Sequence, residues 1–247
     1  MTTSLQVPGT DSAAARLISE ASKALAFGGL SDLVWGHVSV RDHANRGIWM
    51  KESGLGFEEV APDSVQLIGW DGTVLVGTGP RHIEYLIHTG VYAARADVTS
   101  IVHAHSDAVN AWCSLDVPMR PLTHAGMIFS NPELPRFDET ANLIRTPELG
   151  ERLAEALGDA VGVLIPQHGF VMTGEDVPTA VMRAVLLERA ATTLLAALSA
   201  GEVRSWASDA DLAEFAWPPN QIQAGWNYLV RSALAMEART VVERLPL

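Results

Sequence analysis

The feature that most constrains this fold is a short apolar segment that ends in two histidines. Residues 98–105 read VTSIVHAH, a run rich in β-branched side chains that favours a β-strand. Side chains alternate between the faces of a strand, so His103 and His105 should share one face and bring their imidazole rings toward one point. Neutral imidazole is the commonest protein ligand of divalent metals, and a few protein ligands with an open position mark a catalytic metal site. The segment therefore indicates a candidate metal site.

Two further side chains extend this candidate site. Glu84 lies at the start of a helical pattern, 83–95, that leads directly into the strand and would place a carboxylate beside the strand's end. His168 follows a second apolar strand, 161–165, in the loop PQHG, which could bring a third imidazole to the pair. The sequence thus predicts three histidines and one carboxylate around a single ion.

Periodicity along the rest of the chain predicts one α/β domain of the layered α+β kind, with helices covering a central, mostly antiparallel sheet. Helices are expected at 11–28, capped by Asp11 or Ser12, and at 107–113, 150–157 and 179–200. Strands are expected at 36–41, 48–51, 65–68 and 73–76, the last two joined by a hairpin at Asp71-Gly72. The proline-punctuated segment 118–135 has no clear assignment.

Three regions are expected along the chain. A flexible N-terminus, 1–10, would precede the metal-binding domain, 11–205. A C-terminal tail, 206–247, would act as a lid or as a subunit contact, because Trp226, Tyr228 and Leu229 are expected to expose a surface that needs a partner.

Composition excludes several classes of partner. The formal net charge of −12 argues against nucleic acid, because phosphate binding depends on clustered Lys and Arg. The most apolar stretch, 180–200, carries Arg183, Glu188 and Arg189, which would fall inside a bilayer, so it predicts a buried helix and not a membrane span. A single cysteine, Cys113, and an N-terminus without a signal-peptide pattern favour a cytoplasmic location.

Taken in order, the motifs resemble those of the class II aldolase/adducin family over roughly residues 12–200. The matching residues are Gly36-His37-Val38-Ser39, Glu84, the run YAARADV at 92–98, His103-Ala104-His105 and His168-Gly169. The resemblance implies a class II aldolase-like fold, one divalent metal per subunit held by the three histidines, and Glu84 as a further ligand or the acid/base. It also implies a homotetramer with sites between subunits, so that His124 or Tyr228 could serve a neighbour's metal.

Departures from the sugar aldolases of that family point to a different substrate. Those enzymes resemble one another in a phosphate pocket lined by small hydroxyl side chains. Here Arg81-His82 stands in place of a serine pair, His37 in place of an asparagine, and Lys51 precedes Ser53-Gly54. Cationic and imidazole donors suit a flat carboxylate. The patterns WMKESG at 49–54 and GxxHxE at 79–84 resemble the decarboxylase branch, which acts on hydroxypyridine dicarboxylates and dihydroxyphthalate.

The leading prediction is a metal-dependent, non-oxidative decarboxylase of a hydroxylated aromatic or heteroaromatic dicarboxylate, working through a metal-stabilised enolate. The metal would be Mn²⁺, Zn²⁺ or Fe²⁺. The substrate's second carboxylate would be held by five side chains, His37, Lys51, Ser53, Arg81 and His82. His124 would assist catalysis from a neighbouring loop, and His88 would support the ligands.

Three alternatives remain open at this stage. An aldolase or lyase acting on a non-phosphorylated hydroxy-keto acid would use the same metal chemistry. A set of three histidines also suits a bound Fe²⁺ that carries out oxygen chemistry. A non-catalytic, adducin-like module ranks lowest, because such modules are expected to lack the metal ligands that this chain retains.

Overall fold

The computed structural model describes residues 9–243, with side chains as far as residue 238. Residues 1–8, which make up most of the predicted flexible N-terminus, and 244–247 lie outside the described residues. The helices are α1 (Asp11–Leu25), α2 (Tyr85–Ala94), α3 (Asp107–Cys113), α4 (His124–Ser130), α5 (Pro147–Leu157), α6 (Val177–Ala200), α7 (Asp209–Glu214) and α8 (Pro219–Glu243). The strands are β1 (His37–Arg41), β2 (Gly47–Lys51), β3 (Val65–Gly69), β4 (Val74–Val76), β5 (Ser100–Ala104), β6 (Gly162–Ile165) and β7 (Gly169–Gly174).

The seven strands form one sheet in the order β4-β3-β2-β1-β5-β7-β6, and every neighbouring pair is antiparallel. This confirms the predicted antiparallel sheet with helices on its faces. The expected β3–β4 hairpin is present, with Gly72 in its turn at a φ of 84° that favours glycine. Strand β5 lies between β1 and β7, so its C-terminal end is in the middle of the sheet.

Each face of the sheet has its own hydrophobic core. Alternation along β1 and β5 sends Val38, Val40 and Val102 into the core beneath α1 and α6. Ile101 packs into the other core, beneath α2 and α5. His103 is two residues after Ile101, so it faces α2 as well.

Helices α2 and α5 cross at a close contact that requires glycine. A Cβ added to Gly90 of α2 would lie 2.5 Å from the carbonyl oxygen of Gly150 in α5, closer than real Cβ atoms approach. This contact sets the depth of α2 above the sheet, and α2 carries several of the polar side chains described below.

Helix α6 is the predicted buried helix. Its Arg183 donates a hydrogen bond of 2.6 Å to the carbonyl oxygen of Thr173 in β7, so the charge that argued against a membrane span is used inside the protein. None of the helices within residues 9–243 has the length and apolarity needed to cross a membrane.

Three local expectations were wrong or incomplete. Helix α1 is capped by Thr10, whose hydroxyl accepts from the N–H of Ala13 at 3.2 Å, and not by Asp11 or Ser12. Strand β7 was not predicted, because its segment GFVMTG begins and ends in glycine and offers little alternation. The unassigned proline-rich segment contains helix α4.

The tail packs on the domain more closely than expected. Trp226 and Leu229 of α8 are buried in the core beneath α1 and α6, so for them the prediction of an exposed surface was wrong. Tyr228 is 56% exposed. An ion pair of 2.8 Å between Lys23 and Glu237 also joins α8 to α1. Whether the tail acts as a lid or a subunit contact stays a prediction.

Candidate metal centre

The four residues predicted to surround an ion lie together at the end of β5. His103 is in the strand and His105 follows it directly, while His168 lies in the three-residue turn between β6 and β7. Glu84 is the residue before α2. One ligand atom from each lies within 4.8 Å of the others. The structure therefore brings all four together, and we call them the His/Glu cluster.

Hydrogen bonds orient two of the imidazole rings. The Nδ1 of His103 donates to the carbonyl oxygen of Phe170 at 3.0 Å, and the Nδ1 of His105 donates to a carboxylate oxygen of Asp32 at 2.8 Å. A carbonyl and a carboxylate can only accept, so each Nδ1 carries the hydrogen and each Nε2 keeps a lone pair. Such outer partners are typical of metal-binding histidines.

The lone pairs of the cluster face one another. The Nε2 atoms of His103 and His105 are 3.1 Å apart. Both ring nitrogens of His168 are buried and have no hydrogen-bond partner among the residues the structure describes. Its Nε2 is 3.5 Å from Glu84 Oε1, an oxygen that also accepts from the N–H of Ile144 at 2.7 Å. Converging lone pairs repel unless a cation lies between them, so the cluster fits a divalent metal.

Burial keeps the ring of His103 in the form that binds metal. Loss of hydration is the main cause that holds the pKa of His103 well below its usual value of 6.5, and the neighbouring His105 and His168 lower it further. The ring is therefore neutral at pH 7, as a ligand must be.

A second polar group adjoins the cluster on the α2 face of the sheet. His37 lies opposite His103 in the β1–β5 register, with the two ring centroids 5.1 Å apart. The ring of His82 is 4.6 Å from that of His37, and its Nε2 lies 3.1 Å from the Nζ of Lys51. Of the five predicted substrate-binding residues, these three are gathered beside the cluster.

Lys51 is buried without an ionic partner. Its ammonium donates to the carbonyl oxygens of Val34 at 3.1 Å and Leu55 at 2.6 Å, as well as to His82. Burial lowers the pKa of Lys51 from 10.5 to about 8, although Glu59 and Glu58 attract its charge from further away. No carboxylate forms an ion pair with it within the described part of the chain. Its three N–H bonds are satisfied while its charge is not compensated.

His88 is hydrogen-bonded to both His37 and Ser39 on the α2 face of the sheet, and it is not a member of the cluster. Its Nε2 is 2.7 Å from His37 Nδ1, and its Nδ1 is 2.7 Å from the Ser39 hydroxyl. That hydroxyl lies 2.9 Å from the Tyr92 hydroxyl. The spacing of Glu84, His88 and Tyr92 along one side of α2 is a signal that could have identified this row from the sequence. Asp32, which orients His105, gave no such signal.

The remaining predicted site residues lie elsewhere in the chain. Arg81 donates to the carbonyl oxygen of Gly72 at 2.9 Å and its guanidinium lies 4.0 Å from the centre of the Tyr85 ring. Ser53 is half-buried, and its N–H donates to the carbonyl of Pro80 at 2.7 Å. No contact described for either residue reaches the cluster.

His124 is exposed at the start of α4. Its ring stacks on Phe215 with a centroid distance of 5.5 Å. It lines a cavity of about 500 Å³ between α4, α6 and α8, together with Trp217 and Tyr228. The catalytic role of His124 stays a prediction.

A polar cavity of about 380 Å³ adjoins the cluster at His105 and His168. The other lining residues are Gly29, Ser31, Asp32, Ser106, Asp107, Asn110 and Glu188. Three of them are carboxylates and none is Lys or Arg. This side of the cluster therefore suits hydroxyl groups that donate hydrogen bonds better than it suits a phosphate.

A second acidic group, Asp11, Asp42 and His43, also has ligand atoms within 4.8 Å of one another. There the guanidinium of Arg46 bonds both carboxylates, at 2.7 Å from Asp42 and 2.5 Å from Asp11. An arginine already supplies the positive charge, so this group is not a metal site.

Comparison with known proteins adds three findings. A family model described as Class II Aldolase and Adducin N-terminal domain matches residues 16–195. A 3,4-dihydroxyphthalate decarboxylase of Arthrobacter keyseri is 30% identical over 220 residues, which span 84% of this chain and 88% of that protein. The L-ribulose-5-phosphate 4-epimerase UlaF of Salmonella paratyphi B is 28% identical over 172 residues, 66% of this chain and 75% of the epimerase.

Solved structures support the fold. The crystal structure of an aldolase II superfamily protein from Pseudomonas syringae superposes with a TM-score of 0.80 at 24% identity, covering 92% of this chain and 94% of the other. The predicted class II aldolase-like fold is confirmed by this agreement.

Proposed function

The chain belongs to the class II aldolase and adducin family, and from that premise we propose that it is a divalent-metal-dependent carbon–carbon lyase. Its proposed reaction is the non-oxidative decarboxylation of a hydroxylated aromatic or heteroaromatic dicarboxylate, such as 3,4-dihydroxyphthalate or a hydroxypyridine dicarboxylate. The similarity to a 3,4-dihydroxyphthalate decarboxylase supports this choice of substrate.

The observation that carries the proposal is the uncompensated charge of Lys51. A buried cation without an anion costs several kcal/mol in the free protein. Lys51 itself is inaccessible and its three hydrogen bonds are made, but a carboxylate bound in the adjoining site would attract its charge through space and offset part of this cost, which favours an anionic substrate. The ring of His82 lies between Lys51 and His37 and is neutral, because burial and the charge of Lys51 lower its pKa to about 3.

The residues of the cluster would hold Mn²⁺, Zn²⁺ or Fe²⁺, with His103, His105 and His168 as ligands. A divalent metal held there supplies Lewis acidity, which draws charge out of a breaking carbon–carbon bond. Glu84 would be a fourth ligand or would carry a proton to the ring carbon that loses carbon dioxide. The Ile144 N–H already holds one oxygen of Glu84 in place, which leaves Oε2 as the oxygen free to carry that proton.

We propose a homo-oligomer, by analogy with the family, in which His124 and Tyr228 serve a neighbouring subunit. Their position supports this, because both line a cavity that is separate from the one beside His105 and His168. That Arg81 and Ser53 hold the substrate stays a prediction.

The test is direct decarboxylation. Protein reconstituted with Zn²⁺, Mn²⁺ or Fe²⁺ is incubated with 3,4-dihydroxyphthalate and with hydroxypyridine dicarboxylates, and released carbon dioxide is measured. The His103→Ala variant is the blank. We expect metal-dependent release with at least one diacid. Turnover of a sugar phosphate without any release of carbon dioxide from the diacids would overturn the proposal.

An aldolase or lyase acting on a non-phosphorylated hydroxy-keto acid is the second candidate. The acidic cavity favours it, because Asp107 and Glu188 can accept hydrogen bonds from several substrate hydroxyls. Assaying the same metal-loaded protein for aldehyde release from hydroxy-keto acids separates the two reactions.

A further inference from the structure

A row of four buried side chains runs from the edge of the His/Glu cluster into the space between β1 and α2. The rings of His37 and His88 are 2.7 Å apart, from Nδ1 to Nε2. His88 is bonded to the Ser39 hydroxyl at 2.7 Å, and this hydroxyl to the Tyr92 hydroxyl at 2.9 Å. The most exposed of the four residues is only 2% accessible. Water therefore cannot substitute for any link.

The far end of the row sets the direction of its hydrogen bonds. The Tyr92 oxygen lies 3.1 Å from the carbonyl oxygen of Thr99 and 3.2 Å from that of Ser39. Neither carbonyl can donate, and without a hydrogen between them these oxygens would repel the tyrosine oxygen. The single hydrogen of Tyr92 therefore points toward the carbonyls. Its lone pairs are left to accept from the Ser39 hydroxyl.

This direction passes along the row to His37. Because the Ser39 hydrogen is given to Tyr92, the Ser39 oxygen accepts from His88 Nδ1–H. A neutral imidazole has one hydrogen, so His88 Nε2 then accepts from His37 Nδ1–H. Burial holds the pKa of His88 at about 3, which keeps that ring neutral. His37 Nε2 is left with a lone pair.

We infer that His37 accepts a hydrogen bond from a hydroxyl group of the bound substrate, and that His88, Ser39 and Tyr92 are positioning residues that fix its ring in this tautomer. The inference rests on the proposed function for the identity of the substrate. It assigns His37 a different role from the one that the sequence predicts, which is to donate to a carboxylate. A lone pair repels a carboxylate oxygen, whereas it attracts a hydroxyl.

His37 stands outside the metal-binding set, which supports a role toward the substrate. Its ring contacts those of His103 and His82, but its nitrogens are not among the ligand atoms that converge within 4.8 Å. The charge of Lys51 would then attract a substrate carboxylate, and His37 would select a substrate that carries a hydroxyl within reach of its Nε2, such as the second hydroxyl of 3,4-dihydroxyphthalate.

The tautomer is measured by ¹⁵N NMR of histidine-labelled, zinc-loaded protein, with the His37 signals assigned by their loss in His37→Asn. We expect the proton on Nδ1 of His37. Tyr92→Phe frees the Ser39 hydroxyl to turn toward His88, so both tautomers of His37 should appear. His88→Gln keeps a donor and an acceptor at the same places and should preserve the wild-type tautomer. His88→Leu removes both the donor and the acceptor, so it should not preserve the wild-type tautomer of His37. A wild-type proton on Nε2, or an unchanged tautomer in Tyr92→Phe, refutes the inference.

The role toward substrate is measured with a matched pair of compounds, 3,4-dihydroxyphthalate and 3-hydroxyphthalate, which lacks one hydroxyl. We expect kcat/KM of the wild type to fall about three- to tenfold when that hydroxyl is absent, because this fold-change corresponds to the net free energy of one hydrogen bond. His37→Leu should treat the two compounds alike, and metal content should be unchanged in His88→Gln. Equal discrimination in wild type and His37→Leu refutes the role. If neither compound is a substrate but the tautomer is as expected, the proposed function fails and the positioning row stands.

Discussion

The buried charge of Lys51 makes a quantitative prediction about stability and pH. The fall in its pKa from 10.5 to about 8 corresponds, at about 1.4 kcal/mol per pKa unit, to about 3 kcal/mol of free energy. Between these two values the unfolded chain binds the proton and the folded chain does not. The free energy of unfolding should therefore rise as the pH is raised from about 8 to 10.5. Below about pH 8 both states are protonated and the penalty is constant.

Replacement of Lys51 by Met should abolish this rise. At pH 7 the variant gains by losing a buried charge, but it leaves the carbonyls of Val34 and Leu55 without a donor, and each such loss costs about 1–3 kcal/mol. The two effects nearly cancel at that pH. The difference between the two proteins is therefore expected in the pH dependence of stability and not in stability at neutral pH.

The assay is urea unfolding of the metal-free protein at several pH values from 7 to 10.5. The chain has only two lysines, so Lys23→Met is the matched control and should keep the wild-type rise. Tyrosine and cysteine titrate in all three proteins, so their contributions to the pH dependence of stability cancel when the proteins are compared. Parallel stability curves for wild type and Lys51→Met would show that Lys51 carries no buried charge, and the argument for an anionic substrate would lose its support.

Three further predictions concern the cluster and the fold. Asp32→Asn should weaken metal affinity about 10- to 100-fold, because it removes the carboxylate that orients His105, and zinc titration that gives the wild-type affinity would contradict this. Chelation should lower the melting temperature of metal-loaded wild type but not of His168→Ala, as calorimetry can measure. Gly90→Ala should destabilise the fold by about 1–3 kcal/mol through its clash with Gly150, and urea unfolding at the wild-type midpoint would rule out that contact.

Local sequence patterns identified much of the cluster. The alternation that ends in His103 and His105 predicts a strand, and the periodic run after Glu84 predicts the helix that α2 forms. Both depend on residues close together in the chain, which is why the sequence reveals them. Gathering the cluster from the sequence also required the order of motifs shared with the family.

The placement of the other predicted residues could not be obtained in this way. Arg81 adjoins His82 in sequence, yet it contacts the β3–β4 turn while His82 contacts Lys51. His124 is at the start of a short helix, in a segment whose prolines prevented a secondary-structure assignment from the sequence. In each case the direction of the side chain depends on which distant residue it meets.

The sequence by itself determined most of the helices and strands of this protein and the candidate side chains of its His/Glu cluster, because strand alternation and helical spacing act over a few residues. The tertiary structure alone decided which groups each histidine contacts. His37 and His103 are 66 positions apart and become neighbours through the antiparallel register of β1 and β5. Two carbonyl oxygens near Tyr92 then determine, through Ser39 and His88, which nitrogen of His37 bears a lone pair. Hydrogen-bond direction depends on contacts between distant segments, and no local pattern encodes it.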